Sequence, residues 1–457
     1  MNMKMHSAAY ATLLVLAAAP FIPAQSEPAP ALRAGAAKVD ITPQESELPK
    51  NYYGILDHIY SRAIVVDNGD SRAALISVDT GAIPDPVWQQ VTERMQSELK
   101  IPAANILITA THTHSVPFGG NRNLPDKIFE SAKLAAGRLQ PARIGYGTGV
   151  SYLNVNRDYI DPKTRRWWEG ANYDGPSDKT VAVVKFETLN GDPIAVYYNY
   201  AMHAVITGNL DKVSGDAPGA ASRYIEDSYD NKIVALWSTG AEGDQNPIYF
   251  QQTFDLRDIR IKDYAKRGED ISNAMPPGGQ GLDRNNPEVA KLMNQQAQMI
   301  TSMGQMLGEE VMHVMRGMQP ERMDTTAQIY GAQKTVTCPG RERLDRGRAG
   351  TAGTYKDGSP VDIRLGLVMI DDIAFGAVNG EVYNEIAQRL KRESRYARTM
   401  MVTVTNGMAR SGYIPDDSSF GHYVFEVVSS RLQPGCAESA IVNGLLDLMP
   451  KPQFQVK

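Results

Sequence analysis

The sequence predicts an α/β fold: a single large domain in which a mixed β-sheet is flanked by helices. Three observations carry this. Short, β-rich apolar runs recur along the chain, most of them bounded by Gly, Asp, Asn or Pro. Amphipathic stretches of helical period lie between them, and strands interleaved with helices indicate α/β architecture. LNGD at 189–192 falls between two such runs and predicts a hairpin, which makes the sheet mixed.

The chain begins with a different kind of segment. Lys4, an apolar stretch from Ala8 to Ile22 and a tail of small residues and prolines read as a secretory signal peptide over residues 1–26. The apolar stretch is short for a membrane span, although an uncleaved tethering helix is the competing reading. No later stretch reaches spanning length, so the expectation is a secreted or periplasmic protein with no stable membrane span in the mature chain.

The strands follow in order: 73–78, 105–110, 181–186, 194–200, 232–237, 364–370, 373–378 and 400–405. Helices are expected over 86–99, 125–139, 218–229, 286–318, 382–394 and 437–449, the first entering behind Pro84 and Asp85. The longest, 286–318, carries seven methionines from Met293 to Met318, which predicts a Met-rich core face with His313 as a structural residue. Residues 251–285 and 339–361 are polar and rich in Gly, Pro or charge, and predict two long loops, the first a possible lid. There is no internal repeat.

Of 457 residues, 42% are hydrophobic and 22% charged, the mix of a soluble globular protein. A net charge of -5 argues against nucleic acid as a partner. Cys338 and Cys436 are the only cysteines. They can pair in an oxidising compartment or remain free thiols, and two thiolates cannot build a four-sulfur zinc site, so any metal must use His, carboxylate or Tyr.

The polar residues gather where strands end. Asp79 follows the first strand, His112 and His114 the second, His203 the fourth, Glu242 and Asp244 the fifth, Glu381 the seventh and Tyr413 the eighth. In open α/β sheets, ligand sites form where strand-end loops collect. In THTHS (111–115) the two histidines are spaced i, i+2, so on an extended strand they share a face with Ile106, Ile108 and Ala110. Alone, that spacing fits a metal arm or a hydrogen-bonded pair equally. With a third histidine and a carboxylate after other strands it points to a metal site at the strand ends. Mixed His/Glu ligation is the pattern of catalytic zinc, which lowers the pKa of bound water to about 7 and suits amide or ester hydrolysis.

The chain resembles the N-terminal catalytic domain of the neutral/alkaline (non-lysosomal) ceramidases. The matching pieces, in order, are GAAKVDITP (35–43), the run from SRAIVV to ALISVDTG (61–81), THTHS (111–115), VNRD (155–158), NYAMHAVI (199–206), SGDAPGAAS (214–222), AEGDQNP (241–247), GEVYNEIAQRL (380–390) and GYIPDD (412–417). The resemblance implies one catalytic domain over residues 33–450 and one zinc ion per chain. It also implies a lipid or other small-molecule substrate, in the family the amide of an N-acylated sphingoid base. Carried over by motif, His112, His203, Glu381 and Tyr413 would hold the metal and His114 would move or polarise a proton. Arg157 would reach the substrate oxygen or developing oxyanion. Asp79 and Asp216 are expected as supporting hydrogen-bond anchors, and His58 either lines the pocket or is a packed polar neighbour.

Three departures bear on substrate. The family places an active-site serine where this chain has Asn246, which can donate to an oxyanion but cannot act as a nucleophile. A further active-site tyrosine of the family, followed by Glu, is replaced by Phe425–Glu426. The family's C-terminal β-sandwich domain has no counterpart before Lys457. Two readings therefore stand beside the amidohydrolase: a metallohydrolase of the same fold for another amide, ester or lactone, and an inactive relative that binds lipid or glycan.

Overall fold

The computed structural model describes residues 31–117, 123–209, 211–271, 281–345 and 349–451. The expected leader, residues 1–26, lies outside them. The first strands are β1 (Arg33–Asp40), β2 (Tyr60–Asp67), β3 (Arg72–Val78), β4 (Ile106–Ala110), β5 (Gln140–Val150), β6 (Asn154–Asp161) and β7 (Arg166–Asn172). Next come β8 (Thr180–Thr188), β9 (Pro193–Tyr200), β10 (Val234–Thr239), β11 (Gln245–Pro247), β12 (Ile329–Arg343) and β13 (Tyr355–Ile370). The last are β14 (Ile373–Val378), β15 (Glu381–Val382), β16 (Arg398–Val402) and β17 (Tyr413–Ile414). The helices are α1 (Asp85–Leu99), α2 (Leu124–Gly137), α3 (Asp216–Ser228), α4 (Gln251–Lys266), α5 (Pro287–Gly317), α6 (Asn384–Glu393), α7 (Phe425–Ser429) and α8 (Ala437–Leu448).

Twelve of the strands form two large sheets, and β11-β6-β7 and β15-β17 form two small ones. Of the large sheets, one has eight strands in the order β10-β9-β8-β5-β1-β2-β3-β4, the other four in the order β12-β13-β14-β16. Both are mixed: β3/β4, β9/β10 and β14/β16 pair in parallel and the remaining neighbours antiparallel. Alternation along each strand explains how they stack. Ile64, Val66, Leu75, Leu107, Val184 and Tyr197 turn one way and meet Val368, Phe375 and Val402 of the second sheet in a shared core. Their alternate neighbours Ala63, Ile76 and Ile108 pack with residues of α1 and α2, while Val183, Tyr198 and Trp237 pack with those of α3 and α5. On the far side, Leu365, Met401 and Val378 pack with α6 and α8. The result is four layers, α/β/β/α. The mixed sheet flanked by helices is as expected, and its division into two stacked sheets is what the sequence did not convey.

The helix α5 follows its sequence closely. Asn286 caps it by accepting from the Glu288 amide, with Pro287 at the first turn where a missing N–H costs nothing. Its buried stripe includes Leu292, Ile300, Met303, Leu307, Val311 and Met315, the core face the methionine run predicted. A Cβ on Gly304 would lie 2.5 Å from Ala220 Cβ, so the close approach of α5 to α3 depends on that glycine. His313 is exposed.

Two expected loops are corrected. Residues 251–266 form α4, a polar helix that buries little beyond Thr253, Leu256 and Arg257, too thin a stripe to register as helical period. Most of 339–361 is the far end of the β12–β13 hairpin, which projects beyond the core and so lacks an apolar face. Cys338 on β12 and Cys436 at the start of α8 form a disulfide across 98 residues, which settles the open alternative.

The strand ends that carry the site meet at one corner of the two large sheets. The strands β4 and β10 are opposite edges of the eight-stranded sheet, yet their C-terminal ends meet, with Thr239 Oγ1 donating to the Ala110 carbonyl at 2.8 Å. The segment after β16 ties both ends to the second sheet. Thr403 N donates to Thr239 O (2.9 Å), Ala110 N donates to Val404 O (3.1 Å), and the Thr109 and Thr405 hydroxyls bond at 2.9 Å. Strand ends from both sheets therefore converge on one corner.

Candidate metal centre and active site

At that corner β4 stops at Ala110, and His112 takes φ 63°, a left-handed conformation uncommon for a residue with a Cβ. The extended alternation expected through His114 therefore ends early, and the turn, rather than the strand, aims the imidazoles. His112 Nδ1 lies 2.6 Å from the Gly81 carbonyl. A carbonyl only accepts, so Nδ1 carries a proton and Nε2 is the ring nitrogen turned toward the site. His203, beyond β9, repeats the arrangement: Nδ1 donates to the Glu242 carbonyl at 2.7 Å. Carbonyl-fixed tautomers of this kind orient imidazoles that ligate metals.

Both Nε2 atoms face one carboxylate oxygen. Glu381 Oε2 is 3.3 Å from His112 Nε2 and 3.2 Å from His203 Nε2. The strands β15 and β17 pair in parallel with Glu381 opposite Tyr413, which brings the third and fourth expected ligands together across one ribbon. The Tyr413 ring stacks against His203 at 6.4 Å between centroids. A Cβ on Gly243 would lie 2.8 Å from the Glu381 carbonyl oxygen, so a glycine is what lets the 241–244 turn close against β15. His114 stands beside this group, its Nε2 3.3 Å from that of His112, and opens to the cavity in front.

The residues fit a divalent ion. Ligand atoms of His112, His203, Glu242 and Glu381 all lie within 4.8 Å of one another. Glu242 Oε2 accepts from Thr403, while Oε1 is buried with no partner, an orphaned acceptor that a cation would satisfy. Glu242 was visible as a strand-end carboxylate but not placed in the ligand set; its AEGD turn beside THTHS and MHAV was the signal.

Electrostatics tell the same story. Burial would depress the His112 imidazole, but the Glu381 carboxylate outweighs it and raises its pKa to about 9. Burial would raise the Glu381 carboxyl, but the same His112 charge carries it well below the usual range. Burial, then the Arg157 charge, lowers His203 to about 3, and burial pushes Glu242 up to about 8. Desolvation, then the charges of His112 and His203, holds His114 well below the ordinary imidazole value. The pocket favours one positive charge between His112 and Glu381, the place a metal ion takes.

Arg157, on β6, closes the rear and is buried. Its Nη2 donates to Gly243 O at 2.6 Å and lies 3.5 Å from His203 Nε2. Its Nη1 donates to Asn246 Oδ1 at 3.2 Å, and Nε sits 2.9 Å from Glu426 Oε1, within ion-pair range. Asn246 Nδ2 donates to Glu169 Oε1 at 2.8 Å, so Asn246 bridges Arg157 to a second buried acid. Glu426 enters the sequence reading only beside Phe425 and Glu169 not at all, because nothing in their local sequence marks either as an Arg157 partner. Phe425 packs edge-on against Tyr413 at 6.0 Å.

Of the remaining expected residues, Asp79 accepts from Tyr60 N and Arg62, and Asp216 from Thr207, both as supporting anchors. His58 is exposed rather than packed, pairs with Asp40 and is not among the residues lining the cavity. The cavity itself is about 360 Å³. His112, His114 and Glu381 are among its lining residues, and its walls are chiefly apolar, among them Ile59, Val87, Val116, Leu124 and Met408.

Residues 35–125 match the family model described as neutral/alkaline non-lysosomal ceramidase, N-terminal. Neutral ceramidase B of Dictyostelium discoideum is 28% identical over 251 residues, which are 47% of this chain and 35% of the relative. Neutral ceramidase of Pseudomonas aeruginosa is 27% identical over 291 residues, 54% of this chain and 43% of the relative. The matched stretch thus spans less than half the length of either relative. Among solved structures, a ceramidase complexed with C2 superimposes with a TM-score of 0.68 at 16% identity, covering 92% of this chain and 74% of that one. Neutral ceramidase from Pseudomonas aeruginosa gives 0.67 at the same identity and coverage. Over residues 35–125 the chain is similar in sequence to the neutral/alkaline non-lysosomal ceramidases, and over 92% of its length it shares the fold of the solved ceramidases.

Proposed function

We propose that the protein is a zinc-dependent amidohydrolase that removes a fatty acyl chain from an N-acylated amine of the N-acylsphingosine type. The observation that carries this is the juxtaposition at one corner: two imidazoles whose Nε2 atoms converge on one carboxylate, with His112 and Glu381 of that group lining an aliphatic cavity. His112, His203, Glu381 and Tyr413 would hold the ion, with the orphaned Glu242 oxygen as a further donor. Zinc, when bound, supplies a Lewis acid that activates water for attack on a carbonyl at neutral pH.

The chain's own residues do the rest. The aliphatic walls take the acyl chain and exclude water from it, which orients the carbonyl toward the histidines. His114, kept neutral, accepts a proton on Nε2 and returns it to the leaving nitrogen. Arg157 offers a fixed positive charge to the developing oxyanion. Asn246 acts through Arg157, since its carbonyl and amide are engaged by Arg157 and Glu169. The signal peptide expected over residues 1–26 and the Cys338–Cys436 disulfide together favour export to an oxidising compartment.

The test is metal analysis of purified protein with hydrolysis assays on N-acylsphingosines. About one zinc per chain and release of the fatty acid are expected. Neither zinc nor activity after gentle purification and zinc addition would overturn the reading. A second reading, an ester or a different amide on the same site, is favoured by Phe425, whose ring offers no hydrogen bond to a polar substrate head. Comparing N-acylsphingosines with simple N-acyl amines and esters separates the two.

A further inference from the structure

A second cavity, of about 690 Å³, opens behind the wall of the first. The two share the segment 407–413: Gly407, Met408, Ala409 and Gly412 line the aliphatic side, and Arg410 lines the other. Around the second cavity stand four arginines from three stretches of chain, Arg341 and Arg343 of β12, Arg410, and Arg431. Among the described residues its only lining carboxylate is Glu342, which is paired with Lys356 at 3.1 Å.

The four guanidinium groups are not equally committed. Arg341 is held by backbone carbonyls, Ser430 O at 3.1 Å and Val427 O, so it is a fixed charge. Arg343 Nε donates to Asp345 at 2.9 Å, while its Nη2 is buried with no partner. Arg410 spends one nitrogen on the Ser359 carbonyl. Arg431 is exposed, and no hydrogen bond or ion pair engages its guanidinium among the described residues. Like charges gathered at one cavity repel one another. A chain of net charge -5 that nonetheless collects four of them has created a local field of the opposite sign. Guanidinium forks match the oxygens of a phosphate, and two of these four are free to turn toward one.

We propose that this cavity is an anion site for a phosphate group, held between Arg410 and Arg431 over the fixed charges of Arg341 and Arg343. It stands independently of the hydrolytic reading. The phosphate can be free or can belong to a lipid headgroup at a bilayer surface, and the chemistry of recognition is the same.

The experiment uses the full chain and an Arg410→Gln/Arg431→Gln variant, both side chains being exposed and outside the metal corner. Inorganic phosphate is titrated against sodium chloride at equal ionic strength while Tm is read. In parallel, sedimentation with phosphatidylcholine vesicles is compared with and without phosphatidic acid. A saturable rise in Tm specific to phosphate, weakened about tenfold or more in the variant, supports a free-anion site. Sedimentation only with phosphatidic acid, lost in the variant, supports a headgroup site. No phosphate-specific response in either arm, or one that the substitutions leave unchanged, overturns the proposal. Circular dichroism and an unchanged Tm without phosphate show that the variant is folded.

Discussion

If the aliphatic cavity takes an acyl chain, its length must show in the kinetics, and the structure fixes the size of the effect. The walls near His114, among them Val87, Val116 and Leu124, are apolar and give a methylene no polar partner. Each methylene moved from water into such a lining gains roughly 0.8 kcal/mol, about a fourfold rise in kcat/KM. Lengthening the acyl group from two to six carbons should therefore raise kcat/KM by about 3 kcal/mol, or roughly 200-fold. The gain should flatten once the cavity of about 360 Å³ is filled. The assay is initial-rate hydrolysis of an N-acyl series, each substrate below its aggregation concentration. Val116→Trp, which intrudes on the cavity without touching the histidines, should move the plateau to shorter chains and leave the two-carbon substrate unaffected. A flat profile, or a plateau that Val116→Trp does not move, would refute the assignment of this cavity to the acyl chain.

Three further predictions concern the metal and the scaffold. Glu381→Gln removes the carboxylate charge that both Nε2 atoms face, and bound zinc measured by mass spectrometry should fall at least tenfold, with the fold retained by circular dichroism. Reducing Cys338–Cys436 releases a 98-residue loop, and in the chain-entropy model this costs up to about 4.7 kcal/mol, read as a lower urea midpoint in dithiothreitol. Glu226 lies buried between Arg62 and Lys38. Burial would raise its carboxyl, but the Arg62 guanidinium outweighs this and holds it below the ordinary value. Its contribution is therefore full above an unfolded pKa of about 4.3 and is lost as pH falls through the folded one. Glu226→Gln should cost roughly 3–5 kcal/mol at pH 7, and the gap to the parent should narrow as urea denaturation is repeated in acid.

Much of the fold was legible because its signals are local. The strand runs at 73–78, 194–200 and 373–378 lie in fully or nearly fully buried strands, and such segments are marked by unbroken apolar stretches. The helix α5 announced itself through its cap, its proline and a stripe of period 3.6. What stayed hidden was long-range or thinly apolar. The pairing of β4 and β10 edges through Thr239 and Ala110 joins residues 129 apart, and no local pattern encodes it. The strands β5 and β7, with exposed and half-buried positions throughout, and the projecting β12–β13 hairpin lack the apolar runs that would announce them. At the site, the strand-end position of His112, His203, Glu381 and Tyr413 could be read, and the family likeness named their roles. The left-handed turn at His112 and the Arg157 partners Glu169 and Glu426 could not, since a conformation at one histidine and an ion pair across 269 residues leave no periodic trace.

The asparagine at 246 decides how far the chemistry of this chain departs from that of its relatives. Its carbonyl accepts from Arg157 Nη1 at 3.2 Å and its amide donates to Glu169 at 2.8 Å, so it joins a buried cation to a buried carboxylate. Burial pushes both Glu169 and Glu426 upward, the latter to about 8, and Arg157 is the charge that opposes this for each. A residue that braces Arg157 affects catalysis only while Arg157 is present; a residue that donates to the oxyanion affects it regardless. Asn246→Ala should therefore lower kcat with little change in KM, whereas added to Arg157→Ala it should have almost no further effect. That non-additivity corresponds to a coupling of about 0.5–3 kcal/mol in the double-mutant cycle. Independent, multiplicative losses would place Asn246 on the substrate oxygen instead. Asn246→Asp sharpens the distinction, since it adds a third carboxylate beside Arg157 and Glu169. A bracing role predicts that the acid, unable to donate to Glu169 while ionised, loses both stability and kcat, with a partial return of each as pH falls and the new carboxyl protonates.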